Sequence, residues 1–65
     1  MKTFDDIAKE NNIDSVDLGN AVEVVLASRK GSYFEADRYE RGMSRKFTQA
    51  EWDVAHDIAD DYEKR

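Results

Sequence analysis

The single histidine of this 65-residue chain, His56, stands beside Asp57 and within about one helical turn of Asp53 and Asp60. On a helix, His56 and Asp60 share a face, because side chains four residues apart project together. An imidazole and neighbouring carboxylates are the raw material of a divalent-metal site or a general base. The set is incomplete, however, since a catalytic zinc takes three protein ligands plus water. Cysteine is absent, which removes thiolate ligands, a thiol nucleophile and any disulfide. Every nucleophile–histidine arrangement would have to pass through His56. No Gly-x-Ser-x-Gly elbow and no glycine-rich phosphate loop accompanies it. Carboxylate pairs are unavoidable with 15 acidic residues, but acid–base work needs a cleft that separates their pKa values, and so short a chain has little room for one. The expectation is a protein that is not an enzyme, with no catalytic, cofactor-binding or metal-binding residue, no cofactor, and a structural His56.

The His56-Asp57 pair resembles the signature of the HD-type metal-dependent phosphohydrolases. That family draws further histidines from other helices, and this chain has none to supply.

What remains is surface chemistry. The net charge of −5 is laid out in blocks. Residues 1–28 sum to −4, residues 29–46 to +3, and residues 47–65 to −4. In the last block Asp53, Asp57 and Asp60 recur at helical spacing, with Asp61 beside them. Such a row is a solvated face, or an imitation of a phosphate backbone that draws in a basic protein surface through long-range attraction. In the middle block Arg38, Arg41, Arg45 and Lys46 alternate with Tyr33, Phe34, Tyr39 and Phe47. Cations interleaved with aromatic rings suit single-stranded nucleic acid, neutralising phosphates and stacking bases. A small core needs its aromatics, so the reading preferred here assigns those rings to the interior and the cations to ion pairs.

Four segments must position these residues. Thr3 caps the first, with Asp6 in its third helical position and Asn11-Asn12 as the stop. Asp14 caps the second, where Leu18, Ala21, Val22, Val25 and Leu26 form one apolar stripe that ends at Gly31. Val22, Val24 and Leu26 also alternate as a strand would, so a hairpin over residues 21–36 is the rival. Val24 falls off the helical stripe, marking either a self-association surface or a side chain half covered by a neighbouring helix. Ser32 and Glu35 form a capping-box pair that opens a short segment ending near Gly42, with Ala36, Tyr39 and Met43 loosely aligned. Thr48 and Glu51 form a second capping box, followed by Val54, Ala55, Ile58, Ala59 and Tyr62 on one face and Trp52 at its margin. Proline is absent, consistent with uninterrupted helices. The expected fold is an all-α, single-domain bundle of three or four helices over residues 1–65, with α+β as the alternative if the hairpin forms.

Residues 3–14 resemble the opening of a helix-turn-helix module. Ile7-Ala8 stand where that family's first helix carries such a pair, Asn12 where it turns, and Ile13 where an aliphatic residue follows. Leu18 and Ala21 fall where the second helix buries its face. The resemblance implies a small DNA-binding fold covering about a third of the chain. The corresponding recognition segment, Asp14 to Asn20, departs from the family by carrying two carboxylates and no cation, which phosphate would repel.

No apolar run is long enough to span a membrane, and the acidic start Phe4-Asp5-Asp6 is unlike a signal peptide. A cytoplasmic protein with no membrane partner is expected. Three functions follow in order of preference. The first is a non-enzymatic protein-binding module, a small acidic regulator or inhibitor of a protein with a basic, nucleic-acid-handling surface, contacted through Asp53, Asp57, Asp60 and Asp61. The second is a nucleic-acid-binding protein using Arg38, Arg41, Arg45 and Lys46 or the degenerate helix-turn-helix. The third is an assembly protein active as a homo-oligomer.

Overall fold

A computed structural model describes residues 3–41 and 46–64. Four helices follow one another, α1 (Phe4–Glu10), α2 (Ser15–Arg29), α3 (Tyr33–Arg41) and α4 (Gln49–Glu63), and no strand occurs among the described residues. The hairpin alternative is therefore overturned. Residues 21–29 continue α2, and residues 33–36 open α3. The alternation of Val22, Val24 and Leu26 has a different cause: α2 is covered on more than one side.

Local chemistry fixes most of the helix ends. Thr3 and Asp6 form a full capping box, each side chain accepting the other residue's backbone N–H. Asp14 accepts from the N–H groups of Val16 and Asp17. Both α1 and α2 stop in Schellman motifs. At the first, Asn12 takes a left-handed φ of 55°. Its N–H donates to the Lys9 carbonyl, and Ile13 donates to Ala8. At the second, Gly31 takes φ 79°, with Gly31 donating to Ser28 and Ser32 to Ala27.

That last bond corrects one expectation. The Ser32 N–H goes to the Ala27 carbonyl at 2.9 Å, so the expected Ser32–Glu35 capping box lacks the donor for its return bond. The Thr48–Glu51 box does form, with Glu51 Oε1 accepting the Thr48 N–H at 2.9 Å and Thr48 Oγ1 accepting the Glu51 N–H at 3.1 Å. Glu51 is only 2% exposed, so its carboxylate anchors α4 from inside the molecule.

α2 is the hub. α1, α3 and α4 all pack on it, and among the described residues the backbones of α3 and α4 make no close approach to each other. One side of α2 supplies Leu18, Ala21, Val22 and Val25 to a core shared with Ala8, Ala55 and Ala59. Ile7, Ile13, Leu26, Val54 and Ile58 close over its edges. Ala27 lies about two and a half turns beyond Leu18, on the opposite side of α2. With Val24 it packs against Ala36 of α3. Val24 is 4% exposed, so the self-association role weighed for it is overturned by the helix that covers it. Phe47 and Trp52 bridge the two clusters, their rings in a T-shaped contact with centroids 4.8 Å apart. Three alanines at the α2–α4 seam (Ala21, Ala55 and Ala59), each 0% exposed, let the two helices pack closely. The molecule is a slab of 31 × 30 × 16 Å, with α4 and α3 on different sides of α2.

Candidate functional site

The residues expected to carry function fall on α4 and α3, and the two helices treat them differently. On α4, the acidic row is exposed, but most of it has partners within the protein. Gln49 Nε2 donates to Asp53 at 2.9 Å. Asp60 Oδ1 lies 2.8 Å from Arg29 Nη1, and Glu63 Oε2 lies 3.2 Å from the same atom. Asp61 is engaged as well. Among the described residues, Asp57 alone of the four expected contact residues is exposed and without a partner.

Arg29 is the residue that sequence reading missed. At the C-terminal end of α2 it suits the helix dipole, but it also reaches across to α4. Its Nη2 lies 3.1 Å from His56 Nδ1. A guanidinium has only donors, so in this contact Nδ1 takes the acceptor's place. The guanidinium is held above its usual pKa range, first by the hydrogen bond to Asp60 and further by the charge of Glu63. A raised cation favours the fold at every pH below its ordinary value and ceases to do so only as pH rises through the raised value. This clamp therefore stays charged throughout the neutral range. His56, the centre of the first catalytic reading, is a surface hydrogen-bond acceptor that ties α4 to α2. No three His, Asp or Glu side chains converge on a possible metal position among the described residues.

α3 is the opposite case. It buries one residue, Ala36, and leaves Tyr33 72% exposed and Phe34 78% exposed. Tyr39 is 39% exposed. The expectation that these aromatics belong to the core is overturned for all three; of the four rings, only Phe47 joins the interior. For Phe34 the reason is angular. Phe34 precedes Ala36 by two residues, about 200° around the helix, so when Ala36 faces α2 Phe34 faces away from it. Arg38 and Arg41 follow Phe34 by four and seven positions and share its outer face. Tyr62, expected on the buried face of α4, is likewise 63% exposed.

The cation set does not assemble into a free basic strip. Arg41 Nε is 2.8 Å from Asp37 Oδ2, an exposed pair one turn apart. Lys46 is exposed and engaged, and Arg45 lies outside the described residues. Arg38 has no ion-pair partner among the described residues and lines an open depression with Glu35 and Tyr39. Three carboxylates on α3 (Glu35, Asp37 and Glu40) outnumber its two arginines.

The stretch that resembles a helix-turn-helix opening forms α1, a tight turn at Asn12 and the start of α2. α2 packs against the other three helices and buries Leu18, Ala21, Val22, Val24, Val25 and Ala27, and the exposed residues at its start, Ser15 and Val16, bring no cation to a phosphate backbone. No helix among the described residues is long and apolar enough to cross a membrane. No protein-family model matches the chain, and no curated protein or solved structure shows significant similarity to it.

Proposed function

We propose that this chain is a non-enzymatic protein-binding module, a small acidic regulator of protein assembly whose principal contact surface is the outer face of α3. The observation behind this reading is the exposure of Tyr33 and Phe34 on a helix that gives the core only Ala36. Exposed large apolar side chains carry a solvation cost in a free monomer, and aromatic rings beside arginine are the composition of binding hot spots. The acidic row of α4 plays a secondary part. With Asp53, Asp60 and Asp61 engaged internally, its carboxylates supply a diffuse negative field that steers a basic partner rather than a set of free contacts.

Nucleic acid is the weaker alternative, because the aromatics on α3 lie among more carboxylates than cations. The test is co-purification with a tagged chain, with and without nuclease. A protein partner that survives nuclease and is lost in the Tyr33→Ser/Phe34→Ser variant supports the reading. Retention of that partner by the variant, with loss on neutralising Asp53, Asp57, Asp60 and Asp61 to Asn, moves the contact to α4. Recovery of nucleic acid alone refutes it.

A further inference from the structure

Val24 and Val25 are neighbours in sequence and equally deep, at 4% and 3% exposure, yet they belong to different clusters. Val25 packs in the core that α2 shares with α1 and α4, while Val24 packs with Ala27 and Ala36 beneath α3. The two clusters have no buried residue in common. Phe47 and Trp52 touch both, so the larger cluster gives them support that does not pass through α3. What holds α3 down is small. Its 9 residues fall short of the length at which a helix persists by itself in water, about 12–15 residues, so it depends on packing. The side chain it buries is one alanine, and the Ser32–Glu35 pair gives its start no capping box. Its backbone comes close to α2 and to no other helix among the described residues. α2, in turn, does not need α3 in order to end, because its last turn is closed by its own bonds at Gly31 and Ser32.

We propose that α3 leaves α2 as a unit while α1, α2 and α4 stay folded, a sub-global opening that bares Val24 and Ala27. The hinge is Gly31, which stands at φ 79° between the two helices and has the backbone freedom to redirect the chain. The opening concerns the inner face of α3 and does not depend on what meets the outer one. The two faces are linked all the same. A partner that grips Tyr33 and Phe34 on the ordered helix binds the closed form, and so shifts the balance toward it.

The chain has no cysteine, so one introduced thiol reports exposure at one position. Val24→Cys and Val25→Cys make the same chemical change one residue apart. Each variant, checked for native circular dichroism, is treated with a thiol reagent, and its rate is divided by that of the same variant unfolded in urea. Val24→Cys should react about tenfold faster or more, since it needs only the release of α3 and Val25→Cys needs the core to open. Gly19→Ala separates the two routes, because α2 is helical in both the closed and the open form. Added to each variant, it should slow Val25→Cys about two- to fivefold, the factor that matches its gain in stability, and leave Val24→Cys unchanged. Equal normalised rates at the two positions overturn the proposal, for the helices then come apart together. So does a Val24→Cys rate that falls in step with Val25→Cys when Gly19→Ala is added. Hydrogen exchange of the wild-type chain in low urea supplies the second readout. The amides of residues 37–41 should share one opening free energy, with a urea dependence smaller than that of the α2 amides but distinct from zero. Exchange in α3 that ignores urea means bond-by-bond fluctuation and overturns the opening as a unit.

Discussion

α3 and α4 are both short helices laid against α2, yet they are held by different physics. α4 is fixed at its start by a reciprocal capping box with a buried carboxylate. Along its length Ala55 and Ala59 are fully buried, and near its end Asp60, His56 and Glu63 gather on Arg29. α3 has one buried alanine, no capping bond from the Ser32–Glu35 pair, and its largest side chains in solvent. The difference is one of side-chain burial: α4 gives the core Ala55 and Ala59, while α3 gives it Ala36 and leaves its rings in solvent. A chain of this size buries only about 60% of the area its unfolded form exposes, so leaving two aromatic rings out of the core is a large concession of apolar surface.

Substitutions can sharpen or break this contrast. The largest effect is expected in the hub. Leu18 is the largest fully buried apolar side chain, and Leu18→Ala should lower stability by about 2–5 kcal/mol, enough to leave much of a marginal domain unfolded in a urea titration. Next come the two capping-box sequences, which look equivalent on paper. Thr48→Ala removes a formed cap and should cost about 1 kcal/mol. Ser32→Ala removes a side chain that caps nothing and should stay within about 0.5 kcal/mol. Equal losses in the two melts would contradict the structural distinction between them.

A smaller effect of opposite sign is expected at Gly19, in the middle of α2. A Cβ there would meet only the Phe4 ring, at 3.8 Å, an ordinary contact distance. Gly19→Ala should therefore stabilise the fold by about 0.5–1 kcal/mol through helix propensity and a less free unfolded chain. Thermal melts of the two proteins at equal concentration read this directly. A loss of stability would mean that Phe4 and α2 pack more tightly than the geometry allows.

Legibility in the sequence follows the same division. The caps at Thr3, Asp14 and Thr48, the stops at Asn12 and Gly31, and the stripe from Leu18 to Leu26 were readable because each is a local rule with one physical cause. The second side of α2 was not, since Val24 and Ala27 have meaning only once α3 lies over them, and that placement is a long-range fact. Composition misled over α3. Rings in a small chain suggest core, but the angular offset between Phe34 and Ala36 already sets them on opposite sides of any helix through both. Weighting that geometry above composition would have found the exposed face. Nothing in the sequence announced the Arg29 clamp, because its partners stand 27 or more positions away. The same clamp and the Gln49–Asp53 bond explain why the acidic row, visible at once from its spacing, is less free than it looks.

The central claim is that the α3 aromatics are surface and not core, and the stability of the Tyr33→Ser/Phe34→Ser variant tests it most directly. Urea unfolding would be followed through Trp52, the single tryptophan, which packs where the two clusters meet, at a concentration low enough to hold the chain monomeric. The expected result is a midpoint displaced by no more than about 0.5 kcal/mol in stability, as for exposed positions. A loss of about 3 kcal/mol or more, the scale of removing a buried ring, would return those rings to the core and contradict the account.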